Sequence, residues 1–209
     1  MNNSEGAASF VPGRATLPTL WDAAQRCTAC ALYRNATQAV LGEGPSTARI
    51  VMVGEQPGDL EDLAGHPFVG PAGKLLDKAL AEAGIDRSGV YVTNAVKHFK
   101  FEERGKRRIH KKPTAGETAA CKPWLDAELA IIKPELIVCL GATAAHAVIG
   151  KHHGVLEHRG KFFDHPAARK VTATVHPSSI LRATDSETRH RDYAAFVKDL
   201  QGVRKMMNN

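Results

Sequence analysis

A strongly basic segment is the first feature of the chain that suggests chemistry. Residues 97–112 read KHFKFEERGKRRIHKK, with eight lysines and arginines against two glutamates. The resulting charge of +6 equals the formal charge of the whole 209-residue chain, so the positive field is local. A local field of this kind suits a phosphate backbone. The segment also contains His110, an imidazole whose unprotonated nitrogen can act as a nucleophile near neutral pH.

Polar and glycine-rich segments elsewhere carry further candidate groups. GEQPG at 54–58 places Glu55 directly after an apolar run, and HPSSILR at 176–182 places His176 directly after another. Asn94 follows a third apolar run. A carboxylate can stabilise a cation or orient a nucleophile, and an imidazole can donate a hydrogen bond to a developing oxyanion. These groups therefore predict a catalytic site.

Four cysteines form a candidate metal site: Cys27, Cys30, Cys121 and Cys139. The first two have C-x2-C spacing, whereas seventeen residues separate the other two. This wide separation does not match the paired knuckles of a zinc ribbon, but an iron–sulfur cluster tolerates it. Cys139 lies inside an apolar run, so it is alternatively a buried strand residue. In a reducing compartment such cysteines are expected to be ligands or core residues instead of disulfides.

The elements that would position these groups follow from the alternation of short apolar runs with longer helical patterns. Runs rich in β-branched residues predict four strands, at 49–53, 90–93, 136–140 and 171–175. The alternation predicts an α/β fold, a single domain of three layers (α/β/α) with a central, mostly parallel, four-stranded sheet. In such folds ligands bind at the carboxyl ends of the strands, which is where the polar segments fall.

Helices are predicted between the strands, at about 17–27, 73–83, 117–133 and 143–149. Thr114 and Glu117 have the spacing of a capping box and predict the start of the third helix. A last helix has one apolar face, formed by Tyr193, Phe196, Val197, Leu200 and Val203.

Length and composition fit one ordinary globular domain. With 43% hydrophobic and 24% charged residues, the chain is long enough for one buried core. The small and polar residues 1–15 predict a flexible N-terminal arm ahead of a domain over 16–209. There is no run of eighteen apolar residues and no signal-peptide pattern, so a cytoplasmic monomer without membrane contact is expected.

The motifs GEQPG, PFVGPAGKLLD, TNAVK and HPSSILR, together with the cysteine pattern, resemble the iron–sulfur uracil-DNA glycosylases of families 4 and 5. The resemblance covers about residues 20–200, and the inserted GKRRIH segment narrows it to the UdgX branch. Enzymes of that branch excise uracil from DNA and remain covalently attached to the abasic sugar. The resemblance implies that His110 is the attaching residue and that the reaction is single-turnover.

The resemblance also implies roles for the other candidate residues. By this resemblance, the catalytic residues would be Glu55, His110 and His176. The uracil-binding residues would be Gln56, Phe68 and Asn94. Contacts to DNA are expected from Gly70, Lys106, Arg107, Arg108, Ser178 and Arg182. The cysteines, Cys27, Cys30, Cys121 and Cys139, would hold an iron–sulfur cluster, expected to be [4Fe–4S], and the partner would be uracil-containing DNA, single strands included.

The chemistry of these residue types agrees with the implied roles. A glycosylase flips its base out of the stack, and the amide of Asn94 can pair with the uracil edge while Phe68 stacks on the ring. Alternatively, Phe68 is a core residue and Asn94 a turn residue at a strand end. Arg182 is expected to fill the gap left by the flipped base or to contact phosphate, and a solvated surface arginine is the alternative.

Two alternative functions remain open from the sequence. In one, the chain is a glycosylase that releases its product, and His110 contacts only phosphate. In the other, it is a cluster-bearing DNA-binding protein that performs no chemistry. Glu55 and His176 argue against the second, because a pure binding protein needs neither group at the scissile bond.

Overall fold

A computed structural model describes residues 6–150 and 159–208 of the chain. The strands in chain order are β1 (Ile50–Gly54), β2 (Val90–Asn94), β3 (Phe101–Arg104), β4 (Arg107–His110), β5 (Leu136–Leu140), β6 (Phe163–His165) and β7 (Ala168–Thr174). The helices are α1 (Leu17–Ala24), α2 (Asp59–Ala64), α3 (Pro71–Ala83), α4 (Ala115–Ile132), α5 (Ala142–Val148), α6 (Pro177–Leu181) and α7 (Ser186–Met207).

The central sheet has the order β2-β1-β5-β7-β6. Its first four strands are parallel and correspond to the four predicted strands, whereas β6 is a fifth strand that pairs antiparallel with β7. The predicted strand count of four is therefore corrected to five. β6 has only three residues and exposes Asp164, so it gives no apolar run that would predict a strand.

Two apolar cores cover the two faces of this sheet, so the predicted three layers are confirmed. Met52 of β1 packs with residues of α3 and α7, among them Leu80 and Leu200. Its neighbours in the strand face the other way, because side chains alternate along a strand. Val51 and Val53 thus pack with residues of α4 and α5.

A two-stranded hairpin of β3 and β4 lies outside the central sheet and contains His110. Phe101 pairs with His110 across the hairpin, and Gly105 adopts a positive φ of 58° in the turn. Positive φ is readily available to glycine, so the residue suits a tight turn. The strands were not predicted because their residues are mainly charged and exposed.

The start of the described chain is packed against α4. Within the stretch 1–15, predicted as a flexible arm, residues 6–10 form a 3-10 turn and Ala7 is fully buried. Residues 1–5 of that stretch lie outside the described residues. The predicted capping box of Thr114 and Glu117 is confirmed at the start of α4. Among the described residues, the helices are all too short or too polar to cross a lipid bilayer.

Candidate active site

Two joined cavities lie at the carboxyl ends of the parallel strands. The larger is about 630 Å³ and includes Glu55, which directly follows β1. The smaller is about 240 Å³ and includes Asn94, the last residue of β2. The cavities share a set of lining residues, namely Gln56, His110, His176, Ser178 and Arg182. The structure therefore brings the three predicted catalytic residues together.

His110 faces Glu55 at the junction of the two cavities. Nε2 of His110 lies 3.5 Å from Oε1 of Glu55, and the two side chains are 49% and 24% exposed. Partial burial lowers the pKa of His110 despite the nearby carboxylate of Glu55, and the charge of Arg182 lowers it further. A lowered pKa leaves the imidazole neutral at pH 7, with a free lone pair on one nitrogen.

Gln56 fixes both ends of the hairpin that contains His110. Its Nε2 donates to the backbone carbonyls of Lys100 and Lys111 at 3.1 and 3.0 Å, and its Oε1 accepts from the backbone N–H of Lys100 at 3.1 Å. The side chain predicted to bind uracil is therefore already engaged inside the protein. Gln56 lines both cavities, but its amide positions the hairpin.

Arg108 anchors the same hairpin to α2. Its guanidinium donates to Asp59 Oδ1 at 2.5 Å and to Asp62 Oδ2 at 2.6 Å. It also lies over the rings of Phe99 and Phe101, at 5.5 and 5.0 Å from their centroids. The predicted DNA contact of Arg108 is corrected, because two carboxylates and two rings already occupy the guanidinium. Lys106 and Arg107 are exposed and remain candidates for DNA contacts.

His176 is held in one tautomer by Ser178. The backbone N–H of Ser178 donates to Nδ1 of His176 at 3.1 Å, so this nitrogen accepts and the proton of the neutral ring is on Nε2. Burial, with the charges of Arg182 and His110, lowers the pKa of His176 to about 4. Arg182 donates to Oγ of Ser178 at 3.0 Å, and that oxygen lies 2.8 Å from Nδ1.

Asn94 and Phe68 both line the smaller cavity and both lie close to Gly54. A Cβ at Gly54 would come within 2.4 Å of Asn94 Oδ1 and 2.8 Å of Phe68 Cζ, so only glycine permits this arrangement. Phe68 has a positive φ of 58°, a conformation that costs about 1–2 kcal/mol for a residue with a side chain. Its ring centroid lies 6.2 Å from that of His176, in a stacked arrangement.

Gly70 does not offer a free amide. Its N–H donates to Oε1 of the buried Glu61 at 2.7 Å, and the N–H of Gly58 donates to the other oxygen at 3.1 Å. The predicted DNA contact of the Gly70 amide is thus corrected, because the internal carboxylate of Glu61 already accepts its N–H. Glu61 instead holds the two loops that border the smaller cavity.

Comparison with known proteins agrees with this geometry. Residues 41–201 match the family described as the uracil DNA glycosylase superfamily. The chain belongs to this superfamily. The type-4 uracil-DNA glycosylase of Thermotoga maritima is 45% identical over 166 residues, which cover 79% of this chain and 83% of the relative. That of Pyrobaculum aerophilum is 35% identical over 173 residues, covering 79% and 85%.

A type-5 relative is also found. The type-5 uracil-DNA glycosylase of Thermus thermophilus is 31% identical over 160 residues, which cover 66% of this chain and 68% of the relative. The resemblance to families 4 and 5 of the uracil DNA glycosylase superfamily is therefore confirmed.

Three of the four cysteines of this superfamily member lie in one apolar cluster near α1 and α4: Cys27, Cys30 and Cys121. The indole N–H of Trp124 donates to Sγ of Cys27 at 3.3 Å, and the backbone N–H of Lys97 donates to Sγ of Cys121 at 3.2 Å. Hydrogen bonds to sulfur tune the thiolates of iron–sulfur clusters. The three thiols therefore suit such a cluster.

Cys139 lies elsewhere, so its prediction as a ligand is corrected. It is fully buried in β5 and packs with Val51 and Val53 on the α4 side of the sheet. Burial alone raises the pKa of its thiol. Burial also raises the pKa of Cys121, to about 12. Unlike Cys139, Cys121 interacts electrostatically with Cys30 and Cys27, which raises its pKa further. Cys139 is thus a core residue of the strand.

His98 is a donor that the sequence analysis missed. It is 5% exposed and lines a cavity of about 150 Å³ together with Cys27. Burial lowers the pKa of its imidazole and so favours the neutral form that binds metals. Imidazoles replace cysteines in some iron–sulfur centres. No spacing motif distinguishes His98 from the other nine histidines, so the sequence contains no signal for it.

The donors do not form a site for a single ion. In residues 6–150 and 159–208, no three His, Cys, Asp or Glu side chains converge as a single ion requires. A tetrahedral zinc site holds its thiolates about 2.3 Å from one ion, whereas the ligands of a cluster bind different iron atoms. The dispersed thiols and His98 fit a cluster better.

Proposed function

We propose that this chain excises uracil from DNA and then remains bonded to C1′ of the abasic sugar through His110. The observation that carries the proposal is the position of His110. Its imidazole lies 3.5 Å from the carboxylate of Glu55 and borders both cavities, and partial burial lowers its pKa, which favours the neutral ring at pH 7. A histidine that only contacted phosphate would need neither a lowered pKa nor a carboxylate beside it.

The smaller cavity suits the flipped uracil. Asn94 offers an amide donor and an acceptor, which complement the Watson–Crick edge of the base. Phe68 presents a ring on which the base can stack. The strained backbone of Phe68 and the close approach permitted by Gly54 fix these two side chains before the base arrives.

His176 stabilises the departing base. As the bond between C1′ and N1 of uracil breaks, its electron pair moves to the base, and negative charge grows on the uracil oxygens. The neutral ring of His176 donates from Nε2, since Nδ1 accepts from Ser178. A preorganised donor of this kind contributes about 2.7–4 kcal/mol to the stability of a transition state.

Glu55 and His110 act on the sugar. The carboxylate of Glu55 stabilises the positive charge that develops at C1′ as uracil leaves. The lone pair of the His110 ring nitrogen then forms the new bond to C1′, and the ring acquires the positive charge. The uracil anion takes its proton from water. Glu55 remains beside the positively charged ring and stabilises it.

The anchored hairpin supports capture over release. Gln56 holds both ends of the hairpin, and Arg108 holds it to α2, so the ring of His110 is held beside Glu55 at the border of the two cavities. Holding a nucleophile in place replaces a bimolecular step by a unimolecular one.

The cysteine site supports an iron–sulfur cluster with a structural role. Cys27, Cys30 and Cys121, with His98 as the fourth donor, would hold it. When bound, the group supplies a covalent cross-link between the segments that carry these residues. Trp124 and Lys97 donate hydrogen bonds to two of the sulfurs. The backbone N–H that serves Cys121 is that of Lys97, three residues beyond Asn94.

A denaturing gel tests the proposal. The protein is mixed with labelled single-stranded DNA that contains one uracil, alongside His110→Ala and His190→Ala; His190 is an exposed histidine of α7 and serves as the matched control. We expect a band stable to heat and detergent for the wild type and His190→Ala, but none for His110→Ala. Abasic product without a shifted band would indicate a glycosylase that turns over. Neither product nor band would indicate a binding protein.

A further inference from the structure

Thr143 is a buried hydroxyl residue that contacts the predicted catalytic carboxylate. It is 5% exposed and lies in the first turn of α5. Its Oγ1 donates a hydrogen bond to Oε2 of Glu55. The donor is unambiguous when Glu55 is ionised, because a carboxylate only accepts. Thr143 does not line either site cavity, so it reaches the chemistry only through Glu55.

The two oxygens of Glu55 therefore have different partners. Oε2 accepts from Thr143, while Oε1 faces Nε2 of His110 at 3.5 Å. The carboxylate of Glu55 thus connects the hydroxyl of Thr143 to the imidazole of His110. Burying or ordering a glutamate side chain costs up to about 2 kcal/mol of rotamer entropy, and Glu55 is 24% exposed inside an open cavity. A second contact is needed to keep one oxygen directed at His110.

The local backbone explains how Thr143 reaches this position. Gly141 joins β5 to α5 with a φ of 89°, a conformation that favours glycine. A Cβ at Gly141 would come within 3.0 Å of the Cβ of His176. The turn therefore places the start of α5 close to both catalytic loops, with the hydroxyl of Thr143 beside Glu55.

We propose that Thr143 is a positioning residue that orients Glu55 toward His110 and the sugar through its hydrogen bond to Oε2. The inference rests on the proposed function, because it assigns Thr143 a part in the same site. Without the hydroxyl, the carboxylate rotates among several conformers, and only some of them face C1′. Both the stabilisation of the sugar cation and the capture by His110 then weaken.

The test compares Thr143→Val, which keeps the shape but removes the hydroxyl, with Thr143→Ser, which keeps the hydroxyl. Single-turnover release of uracil and formation of the covalent band are timed on uracil-containing single-stranded DNA. We expect Thr143→Val to slow capture by about tenfold to a hundredfold, the usual effect of losing a hydrogen bond to a charged group. We expect Thr143→Ser to stay within about threefold of the wild type.

A double-mutant cycle separates positioning from a structural effect. In a Glu55→Gln background, Thr143→Val should cause no further loss, because it acts only through the carboxylate. Equal losses in both backgrounds would overturn the inference, as would a Thr143→Val variant as fast as the wild type. Thermal melting shows whether Thr143→Val stays folded; if it does not, Thr143→Ala replaces it in the same cycle.

The controls distinguish this inference from the proposed function. A wild-type protein that releases no uracil would overturn the proposed function itself. A wild-type protein that releases uracil and is captured, with Thr143→Val unchanged, would overturn only the role of Thr143.

Discussion

Arg108 donates to the carboxylate of Asp62 at 2.6 Å, and this ion pair fastens the hairpin two residues before His110. The carboxylate of Asp62 is fully buried and also accepts the backbone N–H of Thr37 at 3.0 Å. Leaving a buried charge without its partner is strongly destabilising, so the ion pair favours the state in which the hairpin packs on α2. The most basic part of the sequence is thus partly used inside the protein.

Removing this anchor should slow capture more than excision. We expect Arg108→Met to lower the free energy of unfolding by roughly 1–3 kcal/mol, since Asp62 keeps its bond from Thr37. Formation of the covalent band should slow by about tenfold or more, because the nucleophile is no longer held in place. Rapid-quench timing of uracil release and of the covalent band measures both. The matched control is Arg104→Met, an exposed arginine of the same hairpin, which should leave capture nearly unchanged.

Acid should separate excision from capture. His110 loses its lone pair as the pH falls through its pKa, which burial places below the ordinary value of 6.5. Nε2 of His176 carries a proton in both the neutral and the charged ring, because Nδ1 accepts from Ser178 in the neutral form, so it can donate to the base throughout this range. We expect the covalent band to dominate above pH 7, and free abasic product to gain on it as the pH falls below 6.5. Uracil release and band formation that decline with one shared midpoint would contradict this assignment.

His176 should matter for excision and Ser178 much less. Replacement His176→Leu removes the donor to the uracil oxygen and should lower the single-turnover rate by about 10²–10³-fold. Ser178→Ala keeps the backbone N–H that fixes the tautomer, so its effect should stay within about tenfold. The single-turnover rate of uracil release is measured for both variants. A larger loss of rate for Ser178→Ala than for His176→Leu would contradict this prediction and would indicate that the hydroxyl of Ser178, not its backbone N–H, sets the tautomer.

Iron content should distinguish the cysteines. We expect Cys121→Ala and His98→Ala to lose bound iron and the absorbance of a cluster, because both belong to the donor set near α1 and α4. Cys139→Ala should retain iron, because that thiol lies in a different core, and should cost only about 1 kcal/mol of stability for the small cavity. Loss of iron from Cys139→Ala would restore Cys139 as a ligand.

The sequence predicted the position of the site through the strands. Apolar runs indicated the four parallel strands, and parallel strands end at one edge, so Glu55, Asn94 and His176 were expected together. The position of Cys139 was also indicated by an apolar run. The apolar run around it indicated a core strand, and the structure shows that this signal outweighs the cysteine count.

The hydrogen-bond partners of the polar side chains could not be predicted from the sequence. Arg108 pairs with a carboxylate 46 residues away, and Gln56 bonds a backbone carbonyl 55 residues away. Such choices depend on how α2 and the hairpin pack, and charge or amide content alone does not encode them. A residue type that suits DNA or uracil equally suits an internal contact, so the sequence alone does not distinguish the two roles for Arg108, Gln56 and Gly70.

The hydrogen bonds of the Gln56 side chain to Lys100 and Lys111 hold together the two ends of the hairpin. The backbone N–H of Lys111 donates to the carbonyl of Lys100 at 2.9 Å, so the two ends of the hairpin are already joined without the ten residues between them. The residues proposed to bind the base and stabilise its departure, Asn94, Phe68 and His176, lie outside this segment, whereas the proposed nucleophile His110 lies inside it. Under the proposed function, removal of the base and attachment to the sugar thus depend on separate segments of the chain.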